Sequence, residues 1–280
     1  MKTALIDVGG GFRGTYGAGV MDYFMDENIN FDYTIGVSAG SGNIANYLAG
    51  QRGRCITFYT QYGSRKECTS FRNLLTTGSY INLDYLYNNL ASSDGENPLD
   101  FPKLESNPAE FLIVATDALT GKAKYFTKDD LKQDDYSVIM ASSSLPAVGE
   151  PTVIDEIPYF DGGLSDPVPV QKAVDAGCDK IVLILTKPRN FRREPGKDLH
   201  FARLLDHRFP EVARRLRLRY KTYNYGVDLA EYYVSKGKLL IIAPDNTCNT
   251  DTITRNEEGM IELYAKGYDN AKAVKEFLSI

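Results

Sequence analysis

Tyr33-Thr34-Ile35-Gly36-Val37-Ser38-Ala39-Gly40 passes from a run of strand character into a Gly-x-Ser-x-Gly turn, and helical spacing begins at Ala39. Strand, tight turn and helix in that order are the setting of a nucleophile elbow, where small residues at Gly36 and Gly40 let a strained backbone project Ser38. A helix from Ala39 to Gly50 sets its positive N-terminal end beneath that serine. The same letters fit a plain serine N-cap in a glycine-rich turn, so the neighbouring sequence has to discriminate.

Upstream, the apolar run from Thr3 to Gly9 enters Gly9-Gly10-Gly11-Phe12-Arg13-Gly14, and a helix is expected over 17–27. A glycine turn between strand and helix leaves several N–H groups unpaired at a helix N-terminus, which makes an anion cradle. Gly9, Gly11 and Gly14 also match the dinucleotide fingerprint. That reading requires an acidic residue at the end of the next strand, yet Asp32 stands at its start. A cradle beside an elbow suits acyl transfer better: a nucleophile needs oxyanion donors, and consecutive parallel strands bring both turns to one sheet edge.

Downstream, strands are expected at 111–116, 123–126, 159–161, 180–186 and 238–243, and helices at 167–176, 201–222 and 259–278. Short apolar runs alternating with helical segments give an α/β fold with a mostly parallel sheet. Residues 76–108 are the loosest stretch, a loop at 92–98 following Tyr80, Tyr85 and Tyr87, and serve as an active-site lid or as an insertion. With no repeat and no low-complexity linker, one domain with elaborations is expected.

A nucleophilic serine needs a base. The two histidines, His200 and His207, both sit in a basic amphipathic stretch rather than on a loop at a strand end. The order Ser38, acid, histidine fits an α/β-hydrolase triad, although the elbow there follows several strands and this one follows only the second. The other candidate is Asp161 in Tyr159-Phe160-Asp161-Gly162-Gly163, which ends a short apolar strand ahead of glycines that allow close backbone approach. An Asp-Gly hairpin is the plainer alternative, but residues 164–170 read as a loop entering a helix.

At 280 residues and 43% apolar content the chain buries a large core without staples. Cys55, Cys68, Cys178 and Cys248 are scattered, with no CxxC and no histidine at metal-ligand spacing, so neither a disulfide framework nor a metal site is expected. No EF-hand-type loop is present, and no cofactor is expected. A net charge of −5 argues against a dedicated nucleic-acid binder. That charge is uneven: residues 187–221 carry twelve Lys or Arg and four acids, with apolar residues at helical spacing. Such a segment suits peripheral contact with anionic membrane, at about 1 kcal/mol per surface cation, or else packs its apolar face inward as an ordinary helix. Met1 to Val8 lacks the long apolar stretch of a secretory signal, and no run of about 18 apolar residues occurs, so a cytoplasmic protein, peripheral at the inner membrane surface if that segment docks, is expected.

The glycine turn with its arginine, the elbow and Asp161-Gly162-Gly163, in this order, resemble the patatin-like phospholipase family. Ala115-Thr116-Asp117 with Thr120-Gly121, and Ala141-Ser142-Ser143-Ser144-Leu145-Pro146, match as well. The resemblance runs to about residue 190 and is loose beyond, which suggests a motif-bearing core and a C-terminal elaboration over 191–280 within a single domain. It implies a three-layer α/β/α fold with a mostly parallel central sheet and a Ser–Asp dyad without catalytic histidine. Ser38 would then be nucleophile and Asp161 base. Gly9, Gly10, Gly11 and Gly14, helped by Arg13, would hold the oxyanion. The implied activity is serine-dependent hydrolysis of fatty-acyl esters of phospholipids or lysophospholipids through an acyl-enzyme. The alternative is a weak or inactive lipid-binding member of the same fold. Neither head group nor oligomeric state can be read from the letters.

Overall fold

β1 (Thr3–Asp7) reads Thr-Ala-Leu-Ile-Asp and buries all five residues, because helices cover both faces of the sheet and leave no polar side. Its side chains alternate between two cores, Leu5 in one and Ala4 with Ile6 in the other. A computed structural model describes residues 1–63, 65–146, 148–253 and 256–280, with the side chains of all of these but Phe71, Leu74 and Thr77. After β1 come α1 (Thr15–Asp26), β2 (Tyr33–Val37), α2 (Ala39–Leu48), α3 (Arg54–Thr57), α4 (Phe71–Thr77) and α5 (Phe101–Ser106). Next are β3 (Glu110–Asp117), β4 (Ala123–Thr127), α6 (Ser137–Ser143), β5 (Thr152–Ile154), β6 (Ile157–Asp161), α7 (Val170–Asp175) and β7 (Lys180–Ile184). The chain closes with α8 (Leu199–Leu205), α9 (Pro210–Ser235), β8 (Leu239–Ile242), α10 (Glu257–Asn270) and α11 (Ala273–Leu278).

The sheet order is β5-β6-β3-β2-β1-β7-β8, with β4 also paired to β3. The run β3-β2-β1-β7-β8 is parallel throughout, whereas β4 and β6 are antiparallel to β3 and β5 is antiparallel to β6. α1, α2, α6, α10 and α11 pack on one face through residues such as Tyr16, Ile44, Ile139, Leu263 and Val274. α7 and α9 cover the other with Val170, Ala173, Val227 and Ala230. The architecture is therefore a three-layer α/β/α sandwich around a mostly parallel sheet.

Pairing along β3 sets up the site. A strand has two edges, and β4 occupies one of them along 112–116. β2 pairs with 110–114 and β6 with 115–117, so these two share the opposite edge and meet head-on. Val37, the last residue of β2, lies opposite Val114; Asp161, the last residue of β6, lies opposite Ala115. The turn leaving β2 and the end of β6 are thus forced together.

The structure departs from the expected elements in three places. The helix expected over 201–222 is two, α8 and α9, because Pro210 has no N–H to continue a helix and instead occupies the first turn of α9. The helix expected over 259–278 breaks after Asn270, while its apolar stripe continues through Ala271 and Val274 into the same core. Residues 76–108 hold more structure than a loop: a π-helical turn at Tyr85–Leu90 and α5, with Cys68, Leu86 and Leu90 forming a small core of their own.

Candidate active site

Asp7 and Gly36 are Cα partners at the ends of β1 and β2, so the turns that leave these strands begin side by side. Their backbones touch. A methyl group at Gly9, whose φ is +62°, would stand 2.3 Å from the Val37 carbonyl oxygen and 2.6 Å from the Gly40 nitrogen. Gly36 and Gly40 are equally closed in, by the backbones of Ser41 and Asp7 respectively. Gly9→Ala is therefore expected to cost at least about 2 kcal/mol, since both the left-handed backbone and the contact are lost. Thermal denaturation checks this, and an unchanged midpoint would mean the two turns do not pack as described.

Ser38 sits between them at φ 57° and ψ −135°, a conformation that costs a non-glycine residue about 1–3 kcal/mol and is held by its surroundings. One such support is α6: the Ser142 hydroxyl accepts from the Ser38 N–H at 2.9 Å and donates to the Val114 carbonyl at 2.6 Å. A second is a buried hub under both turns. The Asp7 carboxylate accepts from the Gly9 N–H at 2.9 Å and from the Asn43 amide at 2.9 Å, and the same amide donates to the Gly14 carbonyl. Burial pushes the Asp7 carboxyl up to about 6. Sequence reasoning passes over both Asp7 and Asn43, which look like a strand end and a helix interior.

These bonds sort the candidate oxyanion donors. The N–H groups of Gly9 and Ser38 are already spent, while those of Gly10 and Gly11 donate to no acceptor among the described residues. Gly14 abuts Tyr59 and gives its carbonyl to Asn43. Arg13 is only 5% exposed and forms an ion pair with Asp251.

Asp161 is 2% exposed and firmly held: its N–H donates to the Ser144 carbonyl at 2.8 Å, its carbonyl accepts from Thr116, and its carboxylate accepts from the Gly163 N–H at 2.7 Å. It caps the short 3-10 turn Gly162–Leu164 rather than opening a hairpin. Burial raises its pKa above the ordinary carboxylate value; a hydrogen-bonding contribution from Ser38, the nearby Arg219 charge and the Gly163 N–H oppose that rise. Ser38 and Asp161 line one cavity of about 380 Å³. His200 and His207 are exposed and line none of it.

Ser38 also lies on a second, apolar cavity of about 70 Å³, walled by Phe12, Phe58, Ile81, Leu83, Leu86 and Tyr87. The aromatic-rich turn before the 92–98 loop supplies part of that wall. The larger cavity carries a slight excess of positive charge, with Arg13, Lys187, Arg193 and Arg219 on its lining against Asp161, Asp198 and Asp251. Three of these belong to the basic segment, where sequence reasoning sees only a charged surface. Other cations there are paired, Arg189 with Glu231, Arg192 with Asp228, Arg208 with Glu150 and Arg217 with Asp206, and α9 buries Val212, Ala213 and Leu216 inward. Among the described residues there is no cluster able to hold a metal ion and no helix long and apolar enough to cross a membrane.

A family model described as "Patatin-like phospholipase" matches residues 8–174, and a second, "Domain of unknown function (DUF6363)", matches residues 209–279. "Uncharacterized protein YjjU" of Escherichia coli (strain K12) is 32% identical over 199 residues, 69% of this chain and 54% of that protein. An "Uncharacterized NTE family protein" of Mycobacterium tuberculosis is 31% identical over 81 residues, 29% of this chain and 21% of the other. The chain thus spans about half the length of the first relative and about a fifth of the second. Among solved structures, VipD from Legionella pneumophila superposes with a TM-score of 0.51 over 98% of this chain and 67% of its own, at 13% identity, a likeness of fold alone.

Proposed function

The chain belongs to the patatin-like phospholipase family, and from that premise we propose that it is a serine lipid acyl hydrolase using Ser38 and Asp161 on fatty-acyl esters of phospholipids or lysophospholipids. The observation that carries this reading is Ser38, held in a strained turn at the junction of a cationic and an apolar cavity, with a buried carboxylate beside it.

Ser38 Oγ attacks the ester carbonyl carbon and its proton passes to the Asp161 carboxylate. The carbonyl oxygen becomes an oxyanion received by the free N–H groups of Gly10 and Gly11, with the Arg13 charge behind them. Collapse of the tetrahedral intermediate expels the alcohol, which takes the proton from Asp161, and leaves the acyl group on Ser38. Water then attacks the acyl-enzyme with Asp161 again taking the proton; the fatty acid leaves and Ser38 is restored. Burial serves this chemistry, because a carboxylate raised above its ordinary pKa is a stronger base. In this reading the apolar side of Ser38 receives the first methylenes of the acyl chain and the cationic side the polar remainder.

A lipid-panel hydrolysis assay tests the reading. Replacing both histidines, His200→Ala with His207→Ala, is expected to leave kcat/KM within about twofold, since neither lies on the cavity. A folded but inactive double variant would rule out the dyad.

A further inference from the structure

The two family models divide the chain, but the cavity beside Ser38 draws its walls from both. Arg219, Tyr223, Asp251 and Thr252 come from the segment matched by the model of unknown function; Lys187 and Arg193 come from the stretch between the two models. The C-terminal segment also grips the loops that carry the chemistry. The Phe12 N–H donates to the Thr252 carbonyl at 3.3 Å, and a methyl group at Gly11 would lie 2.0 Å from that oxygen. Asp251 pairs with Arg13, and Arg219 Nε donates to the Gly163 carbonyl at 3.2 Å, two residues beyond Asp161.

Building on the hydrolase reading, we propose that this wall is a phosphate subsite: Lys187, Arg193 and Arg219 bind a phosphate group next to the scissile ester, and the chain beyond the patatin-matched part thereby selects phosphate-bearing acyl esters. The three cations there are only loosely neutralised among the described residues. Arg193 and Arg219 share one carboxylate, Asp198, at 4.0 and 3.8 Å, longer than a hydrogen bond. Asp251 is engaged by Arg13, and Asp161 faces Ser38. The Lys187 ammonium rests on the Phe191 ring at 3.9 Å, and the Arg193 guanidinium lies over Tyr223 at 5.3 Å. The Nε atoms of Arg13 and Arg193 are buried without a partner among the described residues. A buried donor without an acceptor is costly and calls for an explanation, which an anion in the cavity would supply.

Electrostatics agree with the geometry. Burial, then the neighbouring Arg13 and Arg193 charges, push Lys187 down to about 8; burial, then Arg219, push Arg193 down to about 10. A phosphate among them relieves the repulsion and accepts paired guanidinium N–H groups. At about 380 Å³ the cavity falls in the roughly 300–1,000 Å³ range of small-molecule sites. The small apolar cavity on the other side of Ser38 gives the start of the acyl chain a separate place, so one ester is sorted across the nucleophile by polarity.

The test compares a 1-acylglycerol 3-phosphate with the 1-acylglycerol of the same chain, which differ only in phosphate. Wild type is expected to prefer the phosphate ester at least about tenfold in kcat/KM, and Arg193→Gln with Arg219→Gln to lower that ratio at least about tenfold. Lys187→Gln, which removes no hydrogen bond among the described residues, is a second variant expected to lower it about threefold should the double variant unfold. Arg208→Gln, outside the cavity, keeps the wild-type ratio. A wild-type ratio near one, or a ratio unmoved in folded variants while Ser38-dependent hydrolysis persists, overturns the subsite and leaves the hydrolase standing. Binding of inorganic phosphate without discrimination between the esters overturns it too, since the site then serves free phosphate. If wild type hydrolyses neither ester, the hydrolase reading stands or falls on the lipid panel. The subsite is then decided by calorimetry with glycerol 3-phosphate: binding lost in the variants supports it, and no binding to wild type overturns it.

Discussion

Ser38→Ala is expected to lower ester hydrolysis by at least about 10³-fold and to abolish labelling by a fluorophosphonate probe, with the fold intact. The substitution removes the atom proposed to form the acyl-enzyme. It leaves the supports of the elbow in place, because these run through the Ser38 N–H to Ser142 and through the backbones of Gly9 and Gly40. The two readouts separate cause from damage. Lost hydrolysis with an unchanged melting midpoint locates the effect in chemistry, whereas persistent probe labelling of Ser38→Ala would mean that another residue is the nucleophile.

Asp161→Asn carries the second large effect, a fall in kcat/KM of about 10² to 10⁴. Asparagine matches the shape and its oxygen still accepts from the Gly163 N–H, so the turn survives, but the amide cannot take a proton from Ser38. The pH profile adds a sign. As the proposed base Asp161 acts only when ionised, so activity is expected to rise with pH through its pKa. Burial places that pKa above the ordinary value of 3.8, and the acidic limb should therefore lie higher than an exposed aspartate would give. The residual rate of Asp161→Asn should lack this limb. An unshifted limb in the variant would assign the titration to another group.

Much of this is legible in the letters alone. Each of the seven strands expected from apolar runs is present, and the elbow and the glycine turn fall where strand gives way to helix. The short β5 is not legible. It pairs with β6 across Asp155-Glu156, whose φ values of +48° and +66° describe a hairpin turn normally marked by Asn-Gly, and Asp-Glu carries no such mark. The short helices between 54 and 106 escape for a different reason: they have too few turns for a period to emerge, and the apolar residues around them are ordered by packing on one another. The break at Pro210 is legible as a punctuation mark but not as a choice between kink and new helix.

The sequence by itself determines which segments are strand or helix, where the chain turns, and which residue types stand at those turns. Period and turn chemistry are local and act within a few residues. Only the tertiary structure decides which edge of β3 receives β6, and hence that Asp161 arrives beside Ser38. It alone turns Ser142 into a support for a serine 104 residues away, joins Arg13 to Asp251 across 238 residues, and brings Arg219 to Gly163 from 56 residues on. Partners so far apart leave no spacing to read, because the distance between them is set by packing of whole layers and not by the chain that connects them. For the same reason the basic segment, a run of charge in the sequence, resolves into surface cations, six of them ion-paired among the described residues, and three that line the cavity.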